Sequence, residues 1–154
     1  MTDTSASTAD RISANTDEEI NRRIRLETER RLAYYELHLD EIPARLAELD
    51  REWDVERALQ ANAAALGFTG IVLGSTLGRR WFALPALASA FLFQHAVEGW
   101  CPPLSLFRRM GFRTAEEINL ERYALKALRG DFEPIAVATN KLAAIWKAVR
   151  PSRS

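Results

Sequence analysis

Three residues of the 154-residue chain pair useful side chains with regular spacing: His95, Glu98 and Cys101, each three apart. On a helix that reaches residue 101, such steps bring an imidazole, a carboxylate and a thiol to roughly one face. That group could hold a metal such as zinc, or tune the thiol for redox or sulfur-relay chemistry. Other features favour a plainer role. A carboxylate beside a thiol favours its protonated form unless a cation intervenes, which works against an activated nucleophile. Gln94, His95 and Glu98 also stand where an apolar run ends, so they mark a helix leaving lipid, with Cys101 as a small apolar filler. Supply is short as well. One cysteine excludes an intramolecular disulfide and a cysteine-only cage, and the chain has two histidines.

Other chemistry is weaker still. Gly67, Gly70 and Gly74 make no phosphate loop, because no strand precedes them and no Lys-Ser or Lys-Thr follows. No Ser, His and Asp grouping suggests a triad, and His38 lies in a charged segment. Catalytic residues and a cofactor are not expected, and the chain reads as a non-enzyme.

The element that must position His95 to Cys101 is a helical hairpin over residues 58–100. Ala58 to Gly78 gives 21 consecutive residues without a charge, and Trp81 to Val97 another 17. At ~1.5 Å per residue the first run could cross about 30 Å of hydrocarbon. The few residues between the runs force the helices to be antiparallel neighbours. Trp53, Trp81 and Trp100 fall at the ends of the runs, where amphipathic rings settle at the membrane interface. Gly70, Gly74 and Gly78 recur at every fourth position, a groove that lets another helix come close. Ala83, Ala86 and Ala90 are expected to supply the matching small face. Against lipid, the first run carries Gln60, Asn62, Thr69, Ser75 and Thr76, and the buried hairpin of a soluble all-helical bundle would look similar.

Polar segments flank the hairpin. Residues 1–16 hold no apolar run and read as a disordered tail, and they lack the features of a secretory signal. Residues 17–57 read as charged amphipathic helices, opened by a capping box from Thr16 to Glu19. Leu32, Tyr35, Leu39, Ile42, Leu46, Leu49 and Trp53 alternate steps of three and four, a seam for a partner helix in the same chain or another, with a kink near Pro43. In residues 101–154, Cys101-Pro102-Pro103 ends the second run. Leu104 to Met110 reads as a surface segment with Leu104, Leu106 and Phe107 down and Arg108 and Arg109 among headgroups. A second capping box, Thr114 to Glu117, opens a helix with Leu120, Tyr123, Ala124, Ala127 and Leu128 on one face. A last helix is expected over Pro134 to Val149, with Ile135, Ala138, Leu142, Ile145 and Val149 on a stripe. Arg45, Arg51, Arg57, Arg108, Arg109 and Arg113 flank the hairpin, against Arg79 and Arg80 in its turn, which predicts both termini in the cytoplasm.

Gly99-Trp100-Cys101-Pro102 and Gly111-Phe112-Arg113-Thr114 resemble the YgaP-like transmembrane-domain family of bacteria, small two-helix membrane units found alone or fused to a rhodanese domain. The resemblance covers about Arg57 to Arg113. It implies a bacterial inner-membrane location and hairpins that form oligomers, but no activity. No rhodanese loop is present, so sulfur transfer does not carry over.

The expected fold is all-α, an antiparallel transmembrane hairpin flanked by cytoplasmic amphipathic helices. The expected role is a membrane scaffold or interaction module, with lipid, a second copy of the chain and a cytoplasmic protein as partners. Lys+Arg and Asp+Glu balance at 21 each, and no strong basic stripe stands out, so nucleic acid is not an expected partner.

Overall fold

The computed structural model describes residues 8–149, and all regular structure within them is helical. The order is α1 (Thr8–Ala14), α2 (Glu18–Leu37), α3 (Ile42–Leu49), α4 (Val55–Thr76), α5 (Ala83–Glu98), α6 (Pro102–Arg109), α7 (Ala115–Leu128), α8 (Glu133–Val137) and α9 (Lys141–Val149). Short 3-10 turns at Leu39–Glu41 and Arg79–Phe82 precede α3 and α5. The chain divides into two compact units. One holds α1, the start of α2 through Asn21, and Trp53–Ala115; the other holds Arg22–Glu52 and the chain from Glu116 onward.

The first unit is built on the hairpin of α4 and α5. Asp54 caps α4, its carboxylate accepting from the Arg57 N–H at 2.7 Å. Gly70 and Gly74 are buried, and a Cβ on Gly70 would come within 2.4 Å of Pro85 Cδ and 2.7 Å of Leu84 Cβ. A Cβ on Gly74 would come within 2.9 Å of the Phe82 ring. The two glycines therefore receive the start of α5 from the same chain. Gly78 is no part of that groove: it ends α4 and turns the chain at φ 135°, with open space where its Cβ would stand. Ala83, Ala86 and Ala90 are exposed, so the expected alanine face does not meet the glycines. Larger side chains, Leu84 and Pro85, fill that place, which glycine's missing side chain permits.

The base of the hairpin is an apolar cluster of Ile12, Val55, Leu59, Cys101 and Leu104, flanked by Phe91, Trp100, Phe107 and Phe112. Ile12 is fully buried, which corrects the expectation of a disordered tail through residue 16: α1 is ordered by one well-placed isoleucine. The remainder of that tail, residues 1–7, lies outside the described residues. Asp17, rather than Thr16, opens α2, its carboxylate accepting from the Glu19 N–H at 2.9 Å. Thr16 instead donates its hydroxyl to the Ile12 carbonyl at 2.7 Å. Arg108 is fully buried, donating to the Phe112 carbonyl at 3.1 Å and to Asn21 Oδ1 at 2.8 Å. The expected place for it among headgroups is therefore wrong, and Leu106 is exposed rather than turned down.

In the second unit Ile42, Leu46, Leu49, Ile118 and Leu125 form the core, with Leu32 and Tyr35 packed against it. Most of the heptad-like seam is thus used within the chain, while Leu39 in the 3-10 turn and Trp53 between α3 and α4 are exposed. Helix α2 stops at Leu37, and Pro43 sits in the first turn of α3, where its missing N–H costs nothing. Helix α7 faces inward through Ile118, Glu121, Leu125 and Lys126, not through the stripe expected from Leu120 and Tyr123, which are exposed. Glu121 takes Arg45 Nε at 2.9 Å and Arg31 Nε at 3.3 Å. The last helix is broken: Ala138 is extended, and Asn140 opens α9 by accepting from the Ala143 N–H at 3.1 Å.

Candidate functional site at the hairpin base

The three residues that opened the chemical reading do not converge. Helix α5 ends at Glu98, because Gly99 adopts the left-handed conformation at φ 71° while its N–H closes on the His95 carbonyl at 2.8 Å. Cys101 therefore lies beyond the helix, at the cap of α6. Glu98 is exposed and accepts from Gln94 Nε2 at 3.2 Å. His95 and Cys101 do come together, lining one small cavity of about 40 Å³ whose other walls include Leu59, Leu66, Ala88 and Phe91. Among the described residues no three His, Cys, Asp or Glu side chains group as a metal site.

Both ring nitrogens of His95 are buried without a hydrogen-bond partner. The ring also borders an outer hollow with Glu56, Gln60, Leu92 and Ala96. The Cys101 thiol is pushed above its ordinary range by burial, partly offset by the Leu104 backbone N–H. A helix N-terminus normally favours a thiolate. Here desolvation wins, and Glu98 plays no part in the shift. The thiol is held protonated, and the arrangement offers a packed filler rather than a nucleophile.

The neighbouring glycines act through the backbone. Gly99 could not carry a side chain, since its Cβ would fall 2.6 Å from Arg11 Cβ. Gly111, at φ 94°, turns the chain so that the Arg113 carbonyl accepts from the Val55 N–H at 2.8 Å. Phe107 and Phe112 meet edge to face at 5.3 Å beside that turn. Residues 99–102 and 111–114 thus brace the base of the hairpin.

The three tryptophans are placed differently from one another. Trp53 is exposed, with the Arg57 guanidinium 4.5 Å from its ring centre. Trp81 lies in the turn beneath Arg80, at 5.9 Å. Trp100 packs against the apolar cluster at the base.

The outward faces of the hairpin expose several large apolar side chains beside Gln60, Asn62 and Thr69. Phe68 is 71% exposed and Phe93 72%, with Ile71, Val72, Leu77, Leu87 and Val97 also exposed. Ser75 and Thr76 return their hydroxyls to the Ile71 and Val72 carbonyls at 2.8 Å, which removes two donors from that surface. Helix α4 is long and apolar enough to cross a membrane, and 22% of its most apolar window is buried. Helix α5, at 16 residues, is shorter.

No family model matches the chain, and comparison with curated proteins and with solved structures finds no match. The resemblance noted above therefore rests on its two short motifs.

Proposed function

We propose that the chain is an integral membrane protein of the bacterial inner membrane, anchored by the α4–α5 hairpin, and that it works as a non-enzymatic scaffold or interaction module. The observation that carries this is the hairpin's inversion. Gly70 and Gly74 let Leu84, Pro85 and the Phe82 ring close the seam, while Phe68, Ile71, Val72, Leu77, Leu87, Phe93 and Val97 stay exposed. In water that surface would be a large exposed apolar patch. In hydrocarbon it is simply solvated.

The length of α4 agrees with this, at about 33 Å over its 22 residues. Helix α5 is shorter, at about 24 Å over its 16 residues. The orientation with both termini in the cytoplasm rests on the arginines met during insertion. Self-association belongs to the same proposal, and it uses a surface other than the Gly70/Gly74 groove, which the chain's own α5 fills. A cytoplasmic protein partner would be met by the helices outside the hairpin.

The redox and metal reading of His95, Glu98 and Cys101 is not favoured, because Glu98 is turned away and the thiol is held protonated by burial. The deciding experiment is alkaline carbonate extraction of membranes from cells expressing the full chain. Retention in the pellet is the expected result. Release into the supernatant would overturn the anchor and leave a soluble helical bundle.

A further inference from the structure

Helix α9 is built the wrong way round for a helix that serves its own core. Its small residues face inward: Ala148 is buried, Ala144 is half-buried, and the Ala148 carbonyl accepts from the buried Lys126 Nζ at 2.8 Å. Its bulky residues face out, with Leu142 65% exposed, Trp146 57% and Ile145 41%. Leu142, Ile145, Trp146 and Val149 follow the i, i+3, i+4, i+7 rule, so they form one stripe along the helix. Lys141 borders the stripe, and Lys147 stands on the opposite, polar side of the helix.

Charge identifies what covers the stripe. From Pro134 to the last residue the sequence carries Lys141, Lys147, Arg150 and Arg153 and no acidic residue, in a chain whose net charge is zero. A protein partner for an apolar stripe would need no such excess of cations. An apolar stripe with a tryptophan, on a helix that carries lysines and is followed by arginines, is complementary to an anionic lipid surface. Acyl chains take the stripe, the indole sits at the interface, and the cations meet phosphates.

We propose that α9 lies along the surface of an anionic bilayer, with Leu142, Ile145 and Trp146 among the upper acyl chains and Lys141 and Lys147 at the headgroups. This contact is separate from the hairpin and does not require it to be inserted.

The test uses the full chain in vesicles of phosphatidylcholine with phosphatidylglycerol. A nitroxide is attached to Leu142→Cys or, separately, to Phe93→Cys, each in a Cys101→Ser background. At position 142 the expected result is access to oxygen and shielding from a water-soluble nickel chelate. Replacing Lys141 and Lys147 together by Gln should weaken surface binding by about 25-fold, at about fivefold per cation. Free access of nickel to position 142 in the anionic vesicles would overturn the proposal. So would spin–spin broadening, which marks a second copy, or exclusion of both reagents, which marks a protein cover. Position 93 reports the hairpin independently: water at 93 with lipid at 142 sinks the anchor and leaves the α9 contact standing. Quenching of Trp146 by brominated lipid, taken as the difference from Trp146→Phe, gives the same answer without a label; no difference would count against the proposal.

Discussion

The hairpin of α4 and α5 and the group of α2, α3 and α7 solve the same packing problem in opposite ways. The hairpin closes its seam on two buried glycines, Gly70 and Gly74, and leaves Phe68, Ile71, Leu87 and Phe93 outside. The group puts Ile42, Leu46, Leu49, Ile118 and Leu125 inside and leaves the charged face of α2 outside. It even buries a carboxylate, Glu121, between two guanidiniums. Water rewards burial of large apolar side chains and so explains the second arrangement. It does not explain the first. Under the proposed anchoring hydrocarbon would, because lipid gives no reward for hiding leucine and leaves close backbone packing as the source of helix association.

Five substitutions would sharpen or break that contrast. The largest effect is expected from Glu121→Ala, which removes the fully buried carboxylate shared by Arg31 and Arg45 and leaves Arg45 only its pairs with Glu48 and Glu52. Both arginines retain some exposure, so the loss should fall near the lower end of the range for a broken buried pair, about 3 kcal/mol. Denaturant unfolding followed by circular dichroism measures it, and a loss below about 1 kcal/mol would mean that the ion pair does not organise this core.

Next is Phe68→Arg on the outward face of α4. In a bilayer it should cost about 3 kcal/mol of insertion and release a large fraction of the protein from carbonate-washed membranes. On a water-facing surface the same change would fall within about 0.5 kcal/mol. Unchanged pelleting would break the contrast at its root.

Gly70→Ala should cost about 2 kcal/mol, since its Cβ would meet Pro85 and Leu84 close to their backbone. Gly67→Ala is the control. Nothing lies within 4 Å of that position, so the change should be neutral or stabilise by up to about 1 kcal/mol. Thermal unfolding in detergent compares the two, and equal effects would show that the seam is not close-packed.

The smallest effect concerns Asp131, whose carboxyl is held below its ordinary value of 3.8, chiefly by the Arg129 hydrogen bonds at 2.6 and 2.7 Å. A lowered folded value gives stability that is present above pH 4 and lost as pH falls through the folded value. For a pair this near the surface, the loss should be a few tenths of a kcal/mol to about 1 kcal/mol. It should vanish in Asp131→Asn, as read from the difference in unfolding free energy between pH 5 and pH 2.

The helical class and most of the α2–α3 seam were legible in the sequence, because each depends on local spacing of apolar residues. What was not legible depends on partners distant in the chain. Glu121 and Arg108 look like solvated charges until Arg45 and Asn21, some 76 and 87 residues away, are brought to them. The α7 stripe was misread for the same reason: discounting Glu121 and Lys126 as surface residues rotates the helix toward Leu120. Ile12 alone could not signal α1, since a single apolar residue has no periodicity. At the candidate site, the spacing of His95, Glu98 and Cys101 was real, but Gly99 ends the helix before the spacing can act. Glycine ahead of Cys-Pro-Pro was a stop signal that could have been weighed more heavily.

The position of α1 has a consequence for synthesis. Its Ile12 rests on Val55, Leu59, Cys101 and Leu104, and the Arg11 guanidinium reaches the Val97 carbonyl at 3.3 Å. Helix α1 therefore waits until about ninety residues more have left the ribosome before its binding surface exists. Through that interval it is a short, unsupported segment, too short to hold a helix alone. Chains arrested before Leu104 emerges should be clipped by protease near Ile12, and chains arrested well after it should be protected there. Helix α1 becomes the last piece of the hairpin base to settle, and this contact forms against the direction of translation.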